Sequence, residues 1–173
     1  MIAPFAAACL LAGCFQPLYG EHSVGAGPSI KAAMGSVDVS QIPAPNGSPE
    51  ARIAVDIRNS LLFNLNGGSN PTLPAYRLNI TMQSTRLTVI VELRSARPEL
   101  ENYGLNVQYT LVELKSGKTL FSDATFARVS YDIPGQEQRF ARARGLRDAE
   151  NRAGQVIADA IKTRLASYFV AGT

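Results

Sequence analysis

A chain of 173 residues, 46% hydrophobic and 18% charged, suffices for one packed domain with a tail, not for two ordinary domains. Its formal charge of +3 is too mild to indicate nucleic acid as a partner. Both cysteines, Cys9 and Cys14, lie at the start, and the one histidine, His22, sits in a Gly-rich stretch, so the body lacks a thiolate or imidazole cluster and no metal site is expected.

Residues 2–11 are almost wholly apolar, the length of a signal h-region and far short of the ~20 residues that span a bilayer. Leu11, Ala12, Gly13 and Cys14 then read as a lipobox, with cleavage before Cys14 and a lipid on its thiol. On this reading residues 1–13 are a lipoprotein signal peptide and residues 14–35, rich in proline and glycine, are a lipidated N-terminus and flexible tether. A single α+β domain occupies residues 36–173, with folding expected to start near Ser36.

Val37 and Val39 alternate with Asp38 and Ser40 and predict a first strand. Ser48, Pro49 and Glu50 supply a capping hydroxyl, a proline suited to the first helical position and an acid at the positive helix end. The helix they open carries Ile53, Ile57, Leu61 and Leu65 on one stripe and should end near Asn66, before Gly67 and Gly68. Tyr76, Leu78, Ile80 and Met82 alternate with Arg77, Asn79, Thr81 and Gln83 in a second strand that continues irregularly to Val91. Tyr103, Leu105, Val107, Tyr109 and Leu111 repeat the alternation, and a hairpin partner follows the Ser116-Gly117 turn. From Gln136 a long helix is predicted, with Phe140, Ala143, Leu146, Ala149, Ala153, Val156, Ile157, Ala160, Ile161, Leu165 and Tyr168 on an apolar stripe. The order β-α-β-β-β-α predicts a four-stranded, mostly antiparallel sheet packed on two helices, the first helix serving as a right-handed crossover.

If the apolar sides of the strands face the helices, the other face displays Asn79, Thr81, Gln83, Asn106, Gln108 and Thr110. It is polar and nearly uncharged, which suits packing against a polar protein surface, with a plain solvated sheet face as the alternative. In "RFARARGLRD" Arg139, Arg142, Arg144 and Arg147 crowd the start of the last helix, where the dipole already disfavours cations. An anionic partner would compensate them. A second basic spot, Arg94 and Arg97, is placed in the loop between the second and third strands, where guanidinium groups suit phosphates. A solvated surface is the plainer reading of both clusters. Nothing in the chain has the spacing of a nucleophile with its base, of paired catalytic acids or of a phosphate loop, so no enzyme and no cofactor are expected.

Two stretches, "LAGCFQPLYG" and "SYDIPGQEQRFARARGLRDAENRAGQVIADAIKTRLASYF", resemble the LPS-assembly lipoprotein (LptE) family of the alphaproteobacterial type, with Phe15 standing where the family usually has glycine. The resemblance spans most of the chain. It implies a non-enzymatic, lipid-anchored subunit of the outer-membrane lipopolysaccharide (LPS) translocon, on the periplasmic side of the outer membrane. It further implies a 1:1 complex in which the domain lodges in the β-barrel partner LptD, helps it assemble and passes LPS to the cell surface. Carried onto this sequence, the anchor is Cys14, and the LPS-contacting positions fall near Arg97 or Arg94 and near Arg142, with Arg139 and Arg144 beside it. The rival class is a generic periplasmic lipid-anchored adaptor of another envelope complex, without LPS binding.

Overall fold

The computed structural model describes residues 29–68, 70–71, 73–92, 97–133 and 139–171, and for 89–92, 97–99 and 139 the backbone alone. The signal peptide, Cys14, the first part of the tether and Arg94 lie outside the described residues. The elements are α1 (Ile30–Gly35), β1 (Val37–Val39), α2 (Pro49–Asn66), β2 (Tyr76–Glu92), β3 (Arg97–Glu113), β4 (Thr119–Asp132) and α3 (Arg139–Ala171). They form an α+β domain with one sheet ordered β1-β2-β3-β4. That sheet is mixed: β1 runs parallel to β2, while β2–β3 and β3–β4 are antiparallel. A parallel neighbour cannot be reached by a tight turn, and α2 is the crossover that reaches it.

The expected tether ends sooner than Gly35. Ser29 accepts a hydrogen bond from the Ala32 N–H at 3.2 Å and opens α1, whose Ile30 and Met34 are buried in the core. Three apolar side chains in one short turn, Ile30, Ala33 and Met34, outweigh the loop-like composition around them. At α2 the sequence signals act as read. The Ser48 Oγ accepts from the Ala51 N–H at 3.1 Å, Pro49 follows, and Gly67 closes the helix at φ 79°, a left-handed turn that glycine adopts without strain. Ile53, Ile57, Leu61 and Leu65 are all buried.

The helix-facing side of the sheet contributes Leu78, Ile80, Tyr103, Leu105, Val107, Tyr109 and Leu111 to the core. Each fully buried leucine or isoleucine removes enough apolar surface from water to contribute roughly 1.5–3 kcal/mol. Helix α3 meets them with Ala149, Ala153, Ile157, Ile161 and Leu165, all at 0% exposure and four residues apart. Its first turns depart from the expected stripe, since Phe140 is 86% exposed and Ala143 is exposed too. Phe140 precedes Ala149 by about two and a half helical turns, which carries it to the opposite side of the helix. Val156, one residue from the stripe centre at Ile157, is half exposed for the same reason.

Length decides what each helix covers. The 33 residues of α3 span about 50 Å, the 18 of α2 only about 27 Å, and the 17 of β2 about 56 Å. Burial along β2 alternates up to Ser84, after which Thr85, Arg86, Leu87 and Thr88 are all exposed. The distal part of the β2–β3 hairpin therefore extends past α2. Register shifts between Thr88 and Val91 account for the irregularity expected there. Arg97, expected in a loop, is the first residue of β3, paired with Glu92.

Candidate functional site

Two surfaces carry the residues singled out in the sequence, and they lie on opposite layers of the domain. On the helix layer, α3 begins at Arg139, and of the next three arginines Arg142 points away from the other two because it is not a whole turn from either. Arg142 turns toward the sheet. Its Nη2 donates to Glu101 Oε1 at 3.1 Å, and the Tyr131 hydroxyl donates to the other oxygen of the same carboxylate. Glu101 is buried on β3, Tyr131 is buried on β4, and the Arg142 side chain is 53% exposed. Burial, followed by the hydrogen bond to Glu101 and its negative charge, pushes the Tyr131 hydroxyl up to about 12. The three groups form a clasp that ties the start of α3 to two strands.

Arg144 and Arg147 turn outward. With Phe140 and Ala143 they line a shallow hollow of about 440 Å³ on the solvent side of α3. Positions 140, 143, 144 and 147 share one helix face. Neither arginine makes an ion pair among the described residues, whereas Arg152 pairs with Asp148 at 2.8 Å one turn further on. An exposed aromatic ring beside two such guanidinium groups suits an anionic amphiphile, its phosphates on the arginines and its apolar part against Phe140. Arg97 is not brought into this hollow: its backbone lies four residues beyond Glu101 along β3, about 13 Å at the rise of a strand.

The second surface is the open face of the sheet. Register aligns Asn79 with Thr110, Thr81 with Gln108 and Gln83 with Asn106, and these continue onto Ser122, Ala124 and Phe126 of β4. All six side chains predicted for this face are there, Thr110 half-buried and the other five exposed. Arg77 bounds it at one end, held by Asp38 at 3.2 Å, and Arg128 at the other, its guanidinium 5.7 Å above the Phe126 ring. Between those two ends the face carries no charge.

Sequence reasoning missed the buried acids. Glu101 continues the Tyr103, Leu105, Val107 alternation one step back, so extending β3 by two residues places it on the core side. Glu150 sits three residues before Ala153 and seven before Ile157, on the core stripe of α3, where Arg52 of α2 donates to its carboxylate. A third tie, Arg164 Nε to Asp123 at 2.9 Å, joins α3 to β4, with the guanidinium 4.8 Å above the Phe121 ring. The Ala124 N–H and then Arg164 hold the Asp123 carboxyl below the usual range.

No family model and no curated protein sequence matches the chain. Solved structures do. A Caulobacter crescentus protein assigned as a lipoprotein superposes with a TM-score of 0.64 at 18% identity, over 83% of this chain and 97% of that one. A minor lipoprotein from Acinetobacter baumannii gives 0.56 at 16%, covering 77% and 92%. Rare lipoprotein B from Shewanella oneidensis gives 0.55 at 16%, covering 78% and 96%. The chain thus has the fold of these bacterial lipoproteins.

Proposed function

We propose that this protein is a non-enzymatic, lipid-anchored subunit of the outer-membrane LPS translocon, held through Cys14 on the periplasmic side of the membrane and lodged in the LptD barrel. The observation that carries the LPS part is the outward face of α3, where an exposed Phe140 ring lies beside Arg144 and Arg147, which have no ion pair among the described residues. A phosphorylated acylated sugar matches both features. The lipobox and a fold shared with bacterial lipoproteins support the anchor, and an uncharged sheet face suits a polar barrel lumen.

The test is LPS binding by the full chain and its Arg144→Glu/Arg147→Glu variant. Both side chains are exposed, so the fold is expected to survive the change. Reversing two phosphate contacts should weaken binding by at least about tenfold. Unchanged binding at moderate salt refutes the site. Capture of an equal amount of a large β-barrel from solubilised outer membranes supports the translocon, and recovery of the chain without a barrel favours the adaptor class.

A further inference from the structure

On the open face of the sheet, Thr81, Gln83, Asn106, Gln108, Ala124 and Phe126 line a depression of about 380 Å³. It lies on three adjacent strands, roughly 10 Å across. Its shape comes from one small residue. Ala124 stands opposite Gln108 on β4 and rises little above the backbone, while Phe126, two residues on and on the same face, is 64% exposed. Arg128 covers the ring from the other side, so the side toward Ala124 opens into the depression.

The chemistry of the lining is unusual for a solvated sheet. Thr81, Gln83, Asn106 and Gln108 make no side-chain hydrogen bond among the described residues. Asn79 and Asn102, nearby on the same face, do, accepting from Ser40 at 2.9 Å and Ser130 at 2.6 Å. Each amide carries both donors and an acceptor, and a threonine hydroxyl serves as either. The depression therefore combines unspent neutral donors and acceptors, a bare aromatic face and no charged lining residue. Phosphates find no cation in it, and an acyl chain finds amides where it needs carbon. A ligand with many hydroxyls and an apolar ring face meets both demands.

We propose that this depression binds a neutral oligosaccharide, its hydroxyls on the Gln83, Asn106 and Gln108 amides and one sugar ring stacked on Phe126. The site does not rest on LPS binding, which uses the outward face of α3 on the other layer of the domain, but it shares the open face that the proposed function turns to the barrel lumen, so a bound sugar would compete with the barrel for it. Water competes for each hydrogen bond, so the affinity is expected to be weak, with Kd about 1 mM.

The full chain is titrated with maltoheptaose, cellopentaose and chitohexaose by calorimetry and by NMR of the side-chain amides. Saturable binding of at least one sugar is expected, with shifts at Gln83, Asn106 and Gln108. Phe126→Ala and Gln83→Ala/Gln108→Ala should each weaken it by about tenfold. Phe126→Tyr, which keeps the ring, and Arg144→Glu/Arg147→Glu, on the other layer, should leave it within about twofold of the parent. No saturation with any of the three sugars overturns the proposal, as does binding that either alanine variant leaves within about twofold. It is equally overturned if the alanine variants lose capture of a β-barrel and sugar binding is never seen, because the face is then a protein contact.

Discussion

Replacing Glu101 with leucine tests whether the clasp at the start of α3 holds the fold together. Its carboxylate has two partners of unequal value. The Arg142 side chain is 53% exposed, so on losing Glu101 it regains water, and the ion pair itself contributes only about 0–1 kcal/mol. The Tyr131 hydroxyl belongs to a residue 5% exposed and has no water to turn to, so leaving it unpaired costs about 1–3 kcal/mol. The sum is about 1–4 kcal/mol, most of it from the tyrosine. At this chain length each kcal/mol lowers Tm by about 2–4 °C. Urea unfolding of the parent, Glu101→Leu, Tyr131→Phe and the double variant closes a cycle. A Tyr131–Glu101 coupling of about 1–2 kcal/mol is expected, and Arg142→Ala should cost less than Tyr131→Phe. A coupling below about 0.3 kcal/mol, or a larger loss from Arg142→Ala, refutes the reasoning.

Two more expectations follow from the same geometry. Ser48→Ala removes the acceptor of the Ala51 N–H and should cost about 1 kcal/mol in urea, while Ser48→Asp should keep most of it; equal loss from both would show that the cap is not what Ser48 supplies. Burial, helped by the charge of Glu150, Asp123 or Glu101, pushes Tyr103, Tyr109 and Tyr131 up to about 12 from an ordinary 10.0. Because the folded values are raised, their contribution is complete below pH 10 and is lost as pH rises from 10 to 12. Tyrosinate absorbance of these three should therefore appear together with loss of helical signal, and full ionisation of all tyrosines with the fold intact would contradict the burial.

Elements with strong local signals were legible in the sequence: the Ser48 cap, the stripe of α2, the alternation in β2 and β3 and, from Ala149 to Leu165 with Val156 excepted, the apolar stripe of α3 stand where the pattern put them. The six polar residues of the open face were legible for the same reason, since alternation fixes which side a strand residue takes. What escaped were features decided by distant packing. α1 has too few residues for a periodicity to show, and only burial of Ile30 and Met34 reveals it. Phe140 and Val156 are apolar and fall at plausible spacings, yet the drift of about 100° per residue carries them off the core side. The partners of Glu101 and Glu150 lie 30, 41 and 98 residues away in sequence, beyond any local pattern.

The fate of the basic cluster shows what the fold adds to a charge run. Four arginines stand at the start of α3, Arg139 and Arg142 in its first turn, where the dipole opposes a cation by about 0.3–1 kcal/mol, and in the sequence they are equivalent members of one basic run. In the folded chain they are not. Arg142 is matched by Glu101 and serves the clasp, so an anion approaching it competes with a buried carboxylate that cannot leave. Arg144 and Arg147 have no such partner among the described residues and share a face with the exposed Phe140. Among the described residues, the mutual repulsion of Arg144 and Arg147, three residues apart on one helix face, has no counter-charge, and an anionic amphiphile bound there would relieve it. The same step explains why Arg142→Glu would be a poor probe of ligand binding: it sets two carboxylates against each other beneath Tyr131 and loosens the helix, whereas reversal at Arg144 and Arg147 changes the surface and leaves the clasp in place.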